Sequence, residues 1–147
     1  MRILIISPGK AHTPELRDAI GEYETRLRSA LPVEWLFPAI GTKESEGESI
    51  LKLIKPEDYV ILLDERGKDC DSPGLAALLD EQLSGGTKRI VFVIGGAFGV
   101  SEGVLSRANK TLRLSVMVFP HMIVRLILIE QLYRAWSIRS GGKYHHA

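Results

Sequence analysis

Two stretches hold the residue types that could do chemistry. One is the glycine cluster Ile94-Gly95-Gly96-Ala97-Phe98-Gly99-Val100-Ser101. Glycines at the end of an apolar run let the backbone approach a ligand closely, or simply make a tight turn. No Lys-Ser/Thr follows the last glycine, so this is not a P-loop, and the spacing is not G-x-G-x-x-G. A ligand here would be held by backbone groups rather than by side-chain charge. The other stretch is the C-terminal segment from Pro120 to Ala147, which carries three of the four histidines. It holds four basic residues (Arg125, Arg134, Arg139, Lys143) against one acid, Glu130, whereas the rest of the chain has 15 Lys/Arg against 17 Asp/Glu. A chain of net charge +1 has thus placed its positive charge at one end, where an anionic partner would be met.

The elements that must position these residues follow from periodicity. Apolar runs at Ile3–Ser7, Val33–Phe37, Asp58–Asp64, Lys88–Ile94 and Thr111–Leu114 read as strands, most of them buried on both faces. Thr13-Pro14, Ser49, Asp71-Ser72-Pro73, Ser101 and Pro120 open helices between and after them. The polar, glycine-bearing stretch Gly41–Gly47 reads as a mobile loop, and Glu65-Arg66-Gly67-Lys68 as a loop off the third strand. The alternation predicts an α/β domain with a mostly parallel sheet and helices on both faces, one domain over residues 1–147. Ligands gather at the carboxyl ends of such strands, here at Leu63, Gly95 and near Ser115.

Leu114-Ser115-Val116-Met117-Val118-Phe119-Pro120 is apolar and follows a strand without a break. It is either a second buried strand or core-lining loop, or the apolar wall of an adenine pocket. In the last helix His121 and Arg125 are one turn apart with Trp136 near the same face, and Glu130 and Arg134 are one turn apart on the opposite face. Apolar residues fill the rest of the circumference, a pattern that calls for burial between the chain's own sheet and a second subunit. Ser140-Gly141-Gly142 releases a tail, Lys143-Tyr144-His145-His146, that is either frayed or a reach for RNA by stacking and phosphate contact. The paired histidines lack acidic or cysteine ligands beside them, so no metal is expected.

At 147 residues and 45% hydrophobic the chain can bury a core of its own. A single cysteine, Cys70, excludes an internal disulfide, and Asp69 and Asp71 beside it disfavour a reactive thiolate. No apolar run is long enough to span a membrane, and the N-terminal segment reads as a strand rather than a secretory signal. A cytoplasmic location fits these features.

The GG-x-x-G loop, the apolar segment ending Phe119-Pro120-His121, the run Leu132-Tyr133-Arg134-Ala135-Trp136 and the terminal Tyr144-His145 together resemble the RlmH family. These are small SPOUT-class methyltransferases acting on N3 of a pseudouridine in bacterial large-subunit (23S) ribosomal RNA. The resemblance runs from the opening strand to the tail. It implies a deep C-terminal trefoil knot, which general rules of chain topology would have rejected. It implies a homodimer, 23S rRNA within the ribosome as substrate, and S-adenosyl-L-methionine as cofactor, with contacts at Leu63, Gly95 and Leu114, Ser115, Val116, Met117, Val118 and Phe119. Loss of the N3 proton leaves an anion, which a positive or hydrogen-bonding group would stabilise; Arg125, Arg134, Tyr144 and His145 are the candidates. The competing readings are a methyltransferase of another RNA, such as transfer RNA, and a non-catalytic RNA-binding dimer.

Overall fold

The computed structural model describes residues 1–96 and 98–146; the middle of the glycine cluster at Ala97 and the last tail residue, Ala147, lie outside them. Five strands, β1 (Arg2–Ile6), β2 (Val33–Leu36), β3 (Tyr59–Asp69), β4 (Arg89–Ile94) and β5 (Lys110–Arg113), form one sheet in the order β2-β1-β4-β3-β5. Every pairing is parallel. The apolar runs explain why. Alternate residues of each central strand feed opposite cores: Ile3, Ile5, Ile61, Ile90 and Phe92 on one face, Leu4, Ile6, Val60, Leu62 and Val91 on the other. A strand buried on both faces cannot afford a polar side, so it needs a helical layer above and below.

Helices α1 (Pro14–Leu27), α3 (Ser72–Ser84) and α5 (His121–Arg139) supply one layer through Ile20, Leu79, Leu128 and Leu132. Helices α2 (Lys43–Lys52) and α4 (Glu102–Arg107) supply the other through Ile50 and Val104. The α/β architecture with helices on both faces is therefore as the sequence predicts, and the sheet is wholly parallel.

Two local expectations change. Gly41–Gly47 is not a loop, because α2 begins at Lys43: the Thr42 hydroxyl accepts from the Ser45 amide, Glu44 and Glu46 sit in the positive first turn, and Gly47 lies buried within the helix. Glu65–Lys68 is not a loop beyond a strand end. β3 runs on to Asp69, and Leu63 and Lys68 both pair with Leu112, so Asp64–Gly67 bulge out of the ladder. A Cβ at Gly67 would lie 2.6–2.8 Å from the backbone of Leu112, which is why this position has none.

Candidate active site

The carboxyl ends of β3, β4 and β5 open into a cleft of about 780 Å³, of the size that holds a small-molecule ligand. Its floor is Leu63, Ile94, Gly95 and Gly96, and one wall is Leu114, Ser115, Met117, Val118, Phe119 and Pro120. Residues 114–119 are thus not a buried strand: Leu114 still packs against the core, while 116–118 are exposed. Met117 and Val118 are 69% and 77% exposed, held in a bend in which the Ser115 hydroxyl accepts from the Met117 amide. Val116, a candidate with them, faces solvent at 74% and is not among the lining residues. Gly96 brings its backbone so close to α2 that a Cβ would lie 2.8 Å from the Glu46 carboxylate.

The opposite wall is polar, and its residues are not among the candidates named from the sequence, although the loop at Leu63 is. The bulge turns Asp64, Glu65 and Arg66 into the cleft, and Arg113 joins them. Asp64 accepts from the Arg66 amide and from its guanidinium at 2.9 and 3.0 Å; those bonds hold its carboxyl below the usual range. The buried β3 signature that ends at Leu63 points to this position, but only the bulge aims the side chains inward. His121, at the first turn of α5, closes one end of the cleft. Burial, then the Arg125 charge, lowers its pKa, with Glu46 acting the other way.

Arg125 does not face the cleft. It is fully buried, and among the described residues no carboxylate is a hydrogen-bond partner. Its Nε donates to Ser7 Oγ and its Nη1 to the Lys10 carbonyl, both at 2.8 Å, and the guanidinium lies 4.6 Å from the Phe37 ring centre. Nη1 also sits 3.4 Å from His12 Nδ1, whose pKa falls to about 4 through burial first, then the Arg125 and Arg17 charges. Arg125 thus ties α5 to the loop after β1 and reaches the site only through its field.

Arg134, Tyr144 and His145 come together elsewhere. A left-handed Gly141 (φ 77°) lets the Gly142 amide bond Ser137 O and the Gly141 amide bond Ile138 O, turning the chain back along α5. The tail docks rather than frays. Tyr144 donates its hydroxyl to Glu130 Oε1 (3.0 Å), and the Arg134 guanidinium lies 4.8 Å from the Tyr144 ring centre and 3.1 Å from His145 Nδ1. Arg134 also grips Glu130 Oε1 at 2.6 and 3.0 Å. The bonds to Tyr23 and Glu130 raise the Tyr144 pKa well above the ordinary phenol range, so this hydroxyl is a donor and not a base at neutral pH. Along α5, Arg134 is 13 residues from His121, or about 20 Å at 1.5 Å per residue. The cluster and the cleft of one chain are at opposite ends of the same helix.

Among the described residues no group of His, Cys, Asp and Glu is arranged to hold a metal, and no helix is long and apolar enough to cross a membrane.

The family model described as "Predicted SPOUT methyltransferase" matches residues 1–145. This chain belongs to the SPOUT methyltransferase family. Relatives in that family include proteins named ribosomal RNA large subunit methyltransferase H. The one from Parabacteroides distasonis is 41% identical, over 99% of each chain, and the one from Geotalea daltonii is 41% identical, over 99% of this chain and all of the other. A solved SpoU methyltransferase, AviRb from Streptomyces viridochromogenes in complex with AdoMet, is 15% identical with a TM-score of 0.46, covering 97% of this chain and 59% of that one. SPOUT membership also implies the C-terminal knot.

Proposed function

We propose that this chain methylates N3 of a pseudouridine in 23S ribosomal RNA on the assembled ribosome, using S-adenosyl-L-methionine, and that it works as a homodimer. The relatives' names and near full-length identity support the RNA methyltransferase reading. The residues of the cleft fit the cofactor. Met117, Val118 and Phe119 offer an apolar wall to the adenine, Gly95 and Gly96 offer backbone groups, and Glu65 brings negative charge suited to a sulfonium. Val116 belongs to the same bend but is solvent-exposed and not among the residues lining the cleft, so it is not part of the proposed wall.

The bound cofactor supplies a methyl group already activated on sulfur. What remains for the protein is to place N3 in line with it and to stabilise the charge left as the N3 proton passes to water. Arg134 is suited to the second task because it is permanently charged and already oriented by Glu130. Tyr144 and His145 flank it as aromatic surfaces for the nucleotide. The single observation that carries the dimer is the separation of cleft and cluster along one rigid helix, about 20 Å from His121 and about 15 Å from Val124 to Arg134. At that distance Arg134 is better placed to serve the cleft of a second copy than that of its own chain. A face for that copy is present: Ile123 on α5 and Val116 beside the cleft are exposed.

The test is incubation of the protein and labelled cofactor with ribosomes lacking the modification, followed by mapping of the methylated base. Methylation of a pseudouridine at N3 in the large subunit is the expected result. Label in transfer RNA alone, or no cofactor binding by calorimetry, would defeat the proposal.

A further inference from the structure

The docked tail rests on a residue to which neither the cleft nor the cluster has so far given a role. Tyr23, in the middle of α1, places its hydroxyl 3.2 Å from that of Tyr144, 121 positions away in sequence. The contact is braced on both sides. The Tyr133 ring centre lies 4.8 Å from that of Tyr144 in an edge-on arrangement and 6.0 Å from that of Tyr23. Arg26, one turn after Tyr23, lies 5.1 Å from the Tyr23 ring centre and 5.3 Å from that of Tyr133. Tyr144 therefore has two oxygen neighbours, Tyr23 from α1 and Glu130 from α5. Tyr133 and Arg134 pack its ring, and one oxygen contact alone would leave the hydroxyl tied to a single helix. Two, on different helices, fix both the ring and the backbone that carries His145.

We infer that Tyr23 is a positioning residue for the methyl transfer: its hydroxyl sets the place of the C-terminal tail, and so of Tyr144 and His145, without touching substrate or cofactor. The inference rests on the function proposed above for its catalytic consequence, though not for the docking itself. It separates two tasks within the tyrosines of this face. Tyr133 packs, Tyr23 aligns, and Tyr144 is the group aligned.

Tyr23→Phe removes one oxygen and keeps the ring, its packing on Tyr133 and its contact with Arg26. Two readouts apply to the intact chain. Trypsin cleavage after the exposed Lys143 releases residues 144–147 and is read by mass spectrometry; steady-state methylation of unmodified ribosomes gives KM and kcat. A neutral hydrogen bond is worth a factor of roughly three to ten. Tail release in Tyr23→Phe should therefore accelerate by about that factor, with kcat/KM for ribosomes falling to match and the cofactor Kd unchanged. Tyr144→Phe deletes the other half of the contact, so adding Tyr23→Phe to it should cost little more. Unchanged tail release would overturn the inference, and so would fully additive losses in the double variant. Parallel falls in thermal midpoint and cofactor affinity would also overturn it, by making Tyr23 merely structural. A wild-type protein that leaves unmodified ribosomes unmethylated would defeat the proposed function instead, and the release rates would still decide whether Tyr23 docks the tail.

Discussion

Arg125 and Arg134 lie on one helix and do different work because of what their guanidinium groups meet. Arg125 meets a hydroxyl, a carbonyl, a neutral imidazole and an aromatic ring, all inside the chain. Arg134 meets a carboxylate and two tail residues at a partly open surface. A lysine at 134 would keep the charge but lose the planar fork that holds Glu130 and His145 together. Arg134→Lys should therefore lower kcat on ribosomes by roughly 100-fold, the scale of losing one preorganised anion-stabilising donor, and leave cofactor affinity nearly intact. Calorimetry beside the kinetics checks the split. His12 gives a second prediction at this scale. Its folded pKa is about 4 against an ordinary 6.5. Between those values the unfolded chain binds a proton at this position and the folded chain does not, so acid favours unfolding there. Stability should decline as pH falls from about 6.5 towards 4, with His121 adding in the same direction. His12→Gln should flatten the thermal midpoint measured across that window, and an unaltered slope would show that His12 is not its source.

At the scale of elements, the cleft depends on the bulge in β3. Gly67 lies so near the Leu112 backbone that any side chain must push β5 away from β3. Gly67→Ala should destabilise the fold by about 1–3 kcal/mol, the usual cost of overpacking. It should also weaken cofactor binding, because Asp64–Arg66 and Leu114 move with the two strands; a melt and a titration of the same sample test both. The bulge also marks the limit of what the sequence reveals. The buried runs at Ile3, Val60 and Ile90 are legible because a strand apolar on both faces has few places to go. The polar run at 64–68 looks like any loop, since its pairing with Leu112 is set by strands far apart in the chain. Gly41–Gly47 misleads for a related reason. Two glycines within seven residues speak against a helix, yet the Thr42 cap and the acids Glu44 and Glu46 at the helix's positive end outweigh that cost. Arg125 could be read as a candidate anion-stabilising residue from its type and neighbours. Only the packing of α5 under the β1 loop shows that it is buried.

At the scale of the molecule, the distance between cleft and tail cluster becomes a statement about assembly. If each site is built from the cleft of one copy and Arg134, Tyr144 and His145 of the other, two inactive variants can rescue one another. Val118→Glu puts a carboxylate into the apolar wall at an exposed position, where folding should survive. Arg134→Ala removes the cluster's charge. Each variant alone should be a dimer with little activity, the dimeric state being checked by light scattering. After the two are mixed and allowed to exchange subunits, about half the dimers are mixed, and each mixed dimer has one site with both an intact cleft and an intact cluster. Activity should then recover to roughly a quarter of the wild-type value, because the other site in each mixed dimer carries both lesions. A mixture that exchanges subunits but stays inactive would place cleft and cluster of a working site in one chain. That outcome would require α5 to bend or the tail to travel about 20 Å from the post on which it is docked.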